Sequence, residues 1–305
     1  MLESIGMGSS LRPAIQLYSV RDLSEPLPEV ISRAGDTGFA GVEFADRFRE
    51  ADPAETAAAL EESGVVPVGV HADFSGIEAA VRGENDLIDR CKAIGCKRII
   101  AAHVPPRHFR SNRAVGSLSR RLANVADTLD THDIELGYHT ARYDPYPLLP
   151  DPVEVLFDHT PLPEGAAVPA MRWLARLRRG DPTRIPETAG LRTLLSRTAP
   201  EDLFFELETA EVCAAGFDPA GTVSLLEGRV PLVHLRDVAR TGRFGAYVDA
   251  PNGEGAVDFE SVVDAASRAG VEWLVYENET DCDPATKLTD GMAFFDQLLA
   301  EDHWS

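Results

Sequence analysis

Carboxylate and imidazole side chains stand at the ends of three short apolar runs in the C-terminal half of the chain. They are Glu208 in LFFELE, His234 and Asp237 in VPLVHLRD, and Glu277 in WLVYEN. In an alternating strand and helix architecture, the carboxyl ends of parallel strands open into one shared mouth, so residues far apart in sequence converge there. Carboxylates and imidazoles suit a divalent cation that polarises a carbonyl or hydroxyl of a small substrate. The pattern therefore predicts a metal site.

Apolar runs typical of strands alternate with amphipathic stretches typical of helices. The predicted strands are 14–20, 41–44, 65–71, 97–103, 134–139, 203–208, 230–236 and 272–277. The predicted helices are 25–38, 53–63, 84–94, 113–131, 191–197, 219–226, 259–269 and 285–299. Eight such units favour an α/β fold of the (β/α)8, or TIM, barrel type over an open doubly wound sheet, because repeated right-handed crossovers close on themselves. We expect a single domain spanning 1–305.

A long insert at 145–190 interrupts this alternation after the fifth predicted strand. It greatly exceeds the median loop of roughly 4 to 6 residues. Its arginines are Arg172, Arg176, Arg178, Arg179 and Arg184, and its apolar helical face holds Met171, Trp173, Leu174 and Leu177. One interpretation is a lid or oligomerisation arm that lends arginines to an anionic substrate, which would suit a homo-oligomer. The other is a surface helix that pairs with acidic neighbours. We expect the insert to cover the mouth.

The acidic excess limits the classes of partner. The chain has 50 Asp plus Glu against 29 Lys plus Arg, a formal net charge of -21. Such a surface repels a nucleic-acid backbone, so we expect no nucleic-acid partner. No GxGxxG or P-loop pattern follows a strand, which argues against a nucleotide cofactor. The N-terminus lacks the features of a secretory signal, and no uncharged apolar stretch reaches transmembrane length. We expect a cytoplasmic protein with no membrane contact.

Motifs in the last third of the chain resemble the xylose isomerase-like TIM barrel superfamily of sugar phosphate isomerases and epimerases. The stretches that carry the resemblance are FFELETAEVCAAGFDPAGTVSLLEGRVPLVHLRDV and APNGEGAVDFESVVDAASRAGVEWLVYENET. Members often show Glu-Leu-Asp, Asp-Pro, His-Leu-Lys-Asp and Gly-Glu-Gly, then a strand ending in Glu. QLYSVRD, GFAGVEF and LGYHTARYD are weaker matches. The resemblance covers nearly the whole chain apart from the insert.

The resemblance implies one divalent ion, such as Mn²⁺, Mg²⁺, Co²⁺ or Zn²⁺. Carried over by position, Glu208, His234 and Glu277 are ligands, with Glu208 standing where the family has Asp. Many members supply a fourth ligand, a Glu, from the fifth strand, whereas this chain has His139 there. We take His139 as the fourth ligand or as a substrate contact. The expected catalytic groups are Glu277, Glu208 and His139, and the expected substrate contacts are Glu43, His71, His103, Arg236 and Tyr18.

The chemistry expected of such a site is removal of a proton next to a carbonyl, leaving an enediolate whose charge a cation stabilises. The sequence thus predicts a metal-dependent isomerase or epimerase acting on a sugar or cyclitol. Dehydration is an allied reaction, because the same enediolate can expel hydroxide. Two alternatives stay open at this point. One is phosphodiester cleavage, since AP endonucleases share this barrel. The other is a non-catalytic sugar-binding or assembly barrel, which the missing Glu of the fifth strand favours.

The basic residues predict adaptation to high salt. Lys92, Lys97 and Lys287 are the only lysines, and the rest of the positive charge is arginine. At high ionic strength the screening length falls to a few Å, so a densely acidic surface no longer repels itself. We therefore expect the melting temperature to rise between dilute buffer and molar salt. An unchanged melting temperature across that range would reject a halophilic origin and leave an ordinary acidic protein.

Overall fold

Eight parallel strands close into a barrel, as the alternation of the sequence predicted. The computed structural model describes residues 11–150, 153, 167–177, 181, 183–241 and 246–300. The barrel strands are β1 (Arg12–Gln16), β2 (Gly41–Phe44), β3 (Val66–Asp73), β4 (Arg98–His103), β5 (Glu135–His139), β6 (Phe204–Glu208), β7 (Leu232–Leu235) and β10 (Trp273–Tyr276). Each strand pairs with its neighbour in chain order, and β10 closes the barrel by pairing with both β7 and β1. An antiparallel hairpin of β8 (Asp237–Thr241) and β9 (Ala246–Ala250) stands apart from the barrel.

Helices surround the barrel. They are α1 (Leu27–Thr37), α2 (Pro53–Ser63), α3 (Phe74–Val81), α4 (Leu87–Ala93), α5 (Asn112–Asp130), α6 (Ala167–Arg176), α7 (Gly190–Arg197), α8 (Thr209–Ala215), α9 (Pro219–Leu225), α10 (Phe259–Ala269) and α11 (Pro284–Leu298). Three of them begin at an Asp-Pro pair whose aspartate accepts a backbone N–H of the first turn: Asp52, Asp218 and Asp283. An aspartate cap followed by a proline preset for helical φ starts a helix sharply. This explains why the predicted starts of these helices agree with the structure.

Some elements differ from the sequence-based prediction. The first strand was predicted to run to residue 20, but it ends at Gln16, whose side-chain oxygen accepts the Tyr18 N–H at 3.1 Å and turns the chain into a 3-10 helix. The helices α3 and α8 and the β8–β9 hairpin were not predicted. Both helices are short, at 8 and 7 residues, and so carry little helical periodicity.

The barrel interior changes from apolar to polar along its axis. A cluster near the amino ends of the strands consists of Ala14, Val68, Ile100, Phe204, Leu232, Trp273 and Val275. Above it the inward side chains are polar, and Gly69 makes room for one of them. A Cβ at Gly69 would lie 2.8 Å from Oε1 of Glu43, so only glycine accommodates that carboxylate here. The apolar floor thus supports a polar layer that opens to the mouth.

The described part of the 145–190 insert packs against the segment that follows β4. Leu149 donates its N–H to the Arg110 carbonyl at 2.8 Å, and Pro147 bridges to Ala189. Trp173 on α6 and Leu177 just after it are 58% and 59% exposed. Arg178 and Arg179 lie outside the described residues. The role of the insert as a lid or oligomerisation arm stays a prediction. None of the described helices has the length and apolar character to cross a bilayer.

Asp237, grouped by sequence with the metal candidates, instead holds a loop. Its two buried oxygens accept five backbone N–H groups, those of Val238, Gly253, Gly255, Ala256 and Val257, at 2.8 to 3.1 Å. The fit is tight, since a Cβ at Gly255 would lie 2.2 Å from Asp237 Oδ1. The Asn-Gly-Glu-Gly stretch is therefore a structural loop fixed by one carboxylate.

Asp144 holds the turn that follows β5. Tyr138 Oη and the Ala141 N–H both donate to its Oδ2 at 2.7 Å, and its Oδ1 is buried without a hydrogen-bond partner. Burial raises the pKa of Asp144 to about 8, although both of these donors oppose the shift. The turn fixes the backbone beyond His139, which lies in the mouth.

We expect Asp237→Asn to lower the free energy of unfolding by about 2 to 4 kcal/mol. The side-chain NH2 group of asparagine would replace one carboxylate oxygen, and it cannot accept hydrogen bonds from the backbone N–H groups that this oxygen accepts. Chemical denaturation measures the change. Asp264→Asn is the matched control, since Asp264 is exposed on α10 and should change stability by less than about 0.5 kcal/mol. Equal stability of both variants would show that the carboxylate does not hold the loop.

We expect Asp144 to make the folded protein less stable as pH rises. Its folded pKa of about 8 lies above its ordinary value of 3.8, so between those values the folded protein holds a proton that the unfolded chain has lost. Stability from this group is therefore complete at low pH and is lost towards about pH 8. Urea unfolding at several pH values measures the slope. Asp144→Asn should flatten it, and identical slopes in both proteins would contradict the assignment.

Candidate metal and substrate site at the barrel mouth

The four predicted ligands come together at the carboxyl ends of four strands. His139 and Glu208 end β5 and β6, His234 lies near the end of β7, and Glu277 follows β10. One ligand atom of each lies within 4.8 Å of the others. We call these four residues the outer cluster. The strand periodicity that turns alternate residues inward is what aims them into one space.

Distances within the outer cluster fit a divalent ion. His234 Nδ1 lies 2.9 Å from Glu277 Oε2 and 3.9 Å from Glu208 Oε2, and His139 Nε2 lies 3.9 Å from the same Glu208 oxygen. Metal–ligand bonds of about 2.1 Å in tetrahedral geometry put neighbouring ligand atoms about 3.4 Å apart. Two imidazoles and two carboxylates are a donor set that Zn²⁺ or Mn²⁺ accepts. The residues present therefore fit the predicted ion.

The two carboxylates of the outer cluster have opposite protonation preferences. Burial raises the pKa of Glu208 well above its usual range, and the charge of Glu277 adds to the rise. Burial would also raise the pKa of Glu277, but the hydrogen bond and charge of His234 outweigh it and lower that pKa. Without a cation, the two carboxylates therefore titrate as a pair in which Glu208 is the group that favours its protonated form. This agrees with the expectation that their mutual repulsion separates the two pKa values.

His139 is neutral in this surrounding. Burial, helped by the nearby imidazoles of His234 and His71, lowers its pKa to about 3. The ring centroid of His139 lies 5.1 Å from that of His234 in an edge-to-face arrangement. A neutral imidazole keeps a lone pair for a metal or a proton. His139 is thus chemically suited to replace the Glu that many members of the superfamily have on the fifth strand.

A second set of ionisable side chains lies directly beneath. It comprises Glu43, His71, Glu206 and His234, whose ligand atoms also lie within 4.8 Å of one another. We call it the inner cluster. The sequence analysis missed Glu206, although the signal was present: in LFFELE it stands two residues before Glu208, and residues two apart on a strand face the same side. The two clusters share His234.

Hydrogen bonds connect the inner cluster. His234 Nε2 lies 2.7 Å from Glu43 Oε2, and His71 Nε2 lies 2.7 Å from Glu206 Oε2. Gln16 donates to the same Glu43 oxygen at 2.6 Å. Glu43 was predicted as a substrate contact, and the structure buries it completely against Gln16 and His234. Burial would lower the pKa of His71, but Glu43 and Glu206 outweigh it and raise that pKa to about 10. Burial would raise the pKa of Glu43, but the charges and hydrogen bonds of His71 and His234 outweigh it and lower that pKa.

A cavity of about 430 Å³ opens above both clusters. Six predicted residues line it: Tyr18, His71, His103, His139, Arg236 and Glu277. His103 is exposed at the end of β4, and Tyr18 is half-buried beside Arg21. No described residue of the 145–190 insert lines this cavity. Its volume lies in the range usual for small-molecule sites.

Arg236 is surrounded by carboxylates of the chain itself. Its guanidinium lies 2.6 Å from Glu279, 3.3 Å from Glu211 and 3.4 Å from Glu208. Burial alone would lower the pKa of Arg236, but these carboxylates, with Glu208 first, raise it. Sequence analysis predicted Arg236 as a substrate contact and did not identify Glu211 or Glu279. In the structure the guanidinium lines the cavity and balances charge next to the outer cluster.

No protein-family model and no curated protein matches the sequence. Solved structures do match the fold. A sugar phosphate isomerase/epimerase from Parabacteroides distasonis superposes with a TM-score of 0.68 at 14% identity, covering 99% of each chain. IolI protein with a bound zinc atom gives 0.67 at 9% identity, covering 95% of this chain and 99% of that one.

An AP endonuclease of family 2 from Brucella melitensis gives a TM-score of 0.61 at 16% identity, covering 94% of this chain and 99% of that one. A xylose isomerase domain protein from Alicyclobacillus acidocaldarius gives 0.63 at 16% identity, covering 95% and 99%. The fold is therefore shared by proteins with different named activities, so the fold alone does not identify the activity of this chain. With a closed barrel of eight parallel strands, as the sequence motifs predicted, the chain has the fold of the xylose isomerase-like TIM barrels.

Proposed function

We propose that this chain is a divalent-metal-dependent isomerase or epimerase, or a dehydratase, that acts on a sugar or cyclitol through an enediolate. The observation that carries the proposal is the outer cluster: two imidazoles and two carboxylates within 4.8 Å of one another at the carboxyl ends of the strands. An open cavity of about 430 Å³ lies beside it. In barrels of this type, groups at the carboxyl ends of the strands carry the chemistry.

A divalent cation bound by His139, Glu208, His234 and Glu277 would polarise the substrate carbonyl and stabilise the enediolate charge. Glu277 lines the cavity and has a lowered pKa, so its carboxylate is available to take the proton next to the carbonyl. His139 also lines the cavity and is neutral, and we assign its imidazole to holding the cation or to contacting the substrate. Glu208 is fully buried, and we assign it to binding the ion and, when no ion is bound, to carrying a proton.

The rest of the cavity suits a polyhydroxylated substrate. Tyr18, His103 and His71 contribute hydroxyl and imidazole groups that donate or accept hydrogen bonds. Arg236 forms ion pairs with carboxylates of the chain, so we assign it to balancing the charge of Glu208 rather than to binding the substrate. The acidic composition also leads us to propose a cytoplasmic setting at high salt, with no nucleic acid as substrate. This charge argues against the nuclease activity that other barrels of this fold have.

A second candidate is a sugar-binding or assembly barrel without catalysis. The observation in its favour is that the fifth strand supplies His139 where the superfamily motif has Glu. Metal content after purification in chelator-free buffer distinguishes the two candidates when it is measured on Glu206→Gln, because that variant removes a metal-ligating group of the inner cluster and leaves the outer cluster intact. A divalent ion bound by this variant supports the enzyme, and its absence supports the non-catalytic barrel.

We expect His234→Ala and Glu277→Gln each to lower turnover by at least roughly 100-fold, because each removes a ligand and Glu277→Gln also removes the base. A screen of ketoses and inososes with Mn²⁺ in high salt provides the assay. Circular dichroism checks that the variants stay folded, and Asp264→Asn serves as the control with full activity. Undiminished turnover in both variants would refute the assignment of the site.

A further inference from the structure

The inner cluster has the composition and geometry of a metal site in its own right. It brings together two imidazoles, of His71 and His234, and two carboxylates, of Glu43 and Glu206. We propose that the inner cluster is a second divalent-cation site, separate from the outer cluster and joined to it through His234. This goes beyond the proposed function, which needs only the outer ion.

Ligand atoms in the inner cluster face one point from four strands. His234 Nε2 lies 2.7 Å from Glu43 Oε2 and 3.2 Å from Glu206 Oε1. His71 Nε2 lies 3.2 Å from Glu43 Oε2 and 2.7 Å from Glu206 Oε2. Each imidazole therefore contacts both carboxylates through one nitrogen. A modest expansion of these contacts, to about 3.4 Å, gives tetrahedral coordination of a Zn²⁺-sized ion.

Two buried oxygens in this cluster lack a hydrogen-bond donor. Glu43 Oε1 and Glu206 Oε1 are inaccessible to solvent and have no hydrogen-bond partner, since the contact of Glu206 Oε1 with His234 falls outside hydrogen-bond geometry. An unsatisfied buried acceptor costs about 1 to 3 kcal/mol, and more when it is charged. A cation next to His234 Nε2 would accept an electron pair from Glu206 Oε1 and remove that cost for this oxygen, whereas Glu43 Oε1 faces Gly69. The orphaned Glu206 Oε1 is thus a second indication of an ion, independent of the ligand spacing.

The surroundings offer little other positive charge. Among the described residues, no Lys or Arg forms an ion pair with Glu43 or Glu206, and Gln16 is a neutral donor to Glu43. By contrast, Arg236 pairs with Glu208 in the outer cluster. Two buried carboxylates need either protons on the imidazoles or a cation between them. The inner site is therefore the better placed of the two to hold an ion permanently.

His234 can serve either site because its ring nitrogens point in opposite directions, and holding ions at both sites at once requires release of its remaining ring proton to give a bridging imidazolate. Nδ1 lies 2.9 Å from Glu277 in the outer cluster, and Nε2 lies 2.7 Å from Glu43 in the inner one. The side chain of His71 is 14% exposed and lines the mouth cavity, so an ion can enter from the mouth. Zn²⁺ or Mn²⁺ is the expected class of ion, given imidazole and carboxylate donors.

A set of isosteric variants tests the inner site without any substrate. The full-length protein is stripped with a chelator and dialysed against Zn²⁺, and bound metal is measured by elemental analysis. We expect the double variant Glu208→Gln with Glu277→Gln, which dismantles the outer cluster, still to bind Zn²⁺. Adding Glu206→Gln should weaken that binding by more than about 100-fold. Loss of a residue that only hydrogen-bonds to a metal ligand already lowers metal affinity by about 10- to 100-fold, and Glu206 is itself a proposed ligand. Glu43→Gln replaces Glu206→Gln if circular dichroism shows that the latter does not fold.

The outcomes separate the inner site from the proposed function. If the double variant binds no Zn²⁺, or binds it equally well with and without Glu206→Gln, the inner site is overturned and protons bridge these groups instead. If Glu206→Gln alone abolishes all Zn²⁺ binding, the inner site stands and the outer ion of the proposed function fails. If Glu206→Gln alone leaves Zn²⁺ bound at the outer cluster and the double variant also binds Zn²⁺, both the inner site and the outer ion are supported.

Discussion

Four carboxylates, Glu43, Glu206, Glu208 and Glu277, are buried around one imidazole, that of His234. Charge buried in a protein interior is costly unless it is paired and hydrogen-bonded. Each contact of His234 therefore matters, because its two nitrogens reach Glu277 on one side and Glu43 on the other. The arrangement of the whole barrel mouth follows from the need to balance this negative charge.

The surrounding structure is built to hold these groups in place. Arg236 supplies a guanidinium beside Glu208, and Gln16 supplies an amide donor to Glu43. Gly69 leaves the space that the Glu43 carboxylate fills. Asp237 fixes the loop that follows the β8–β9 hairpin through four backbone hydrogen bonds. These contacts bring rigid strand ends and loops together around the clusters, which is the preorganisation that metal binding and proton transfer require.

The inner and outer clusters form two successive polar layers above the apolar cluster in the barrel. Glu206 and Glu208 come from one strand and face the same interior, yet Glu208 belongs to the outer cluster and Glu206 to the inner one. Their separation follows from strand geometry, with about 3.3 Å of rise per residue. His71 and His139 extend the layers towards the cavity. Because His234 belongs to both clusters, a change in the protonation of its ring alters the contacts of both clusters.

The sequence by itself determined the eight alternating units, and most strand and helix bounds, because hydrophobic periodicity and Asp-Pro starts are local signals. It also determined that Glu208, His234 and Glu277 would share the mouth, since the carboxyl ends of parallel strands meet. It could not assign Asp237 to a structural loop, because the five N–H donors it holds come mainly from a segment about twenty residues later. The spacing of Glu206 and Glu208 in LFFELE was a usable signal that both face the barrel interior, but the sequence could not show the burial of Glu43. Only closure of the barrel brings β2, β3, β6 and β7 around a common axis, and that closure decides which inward side chains meet and which nitrogen of His234 faces each cluster.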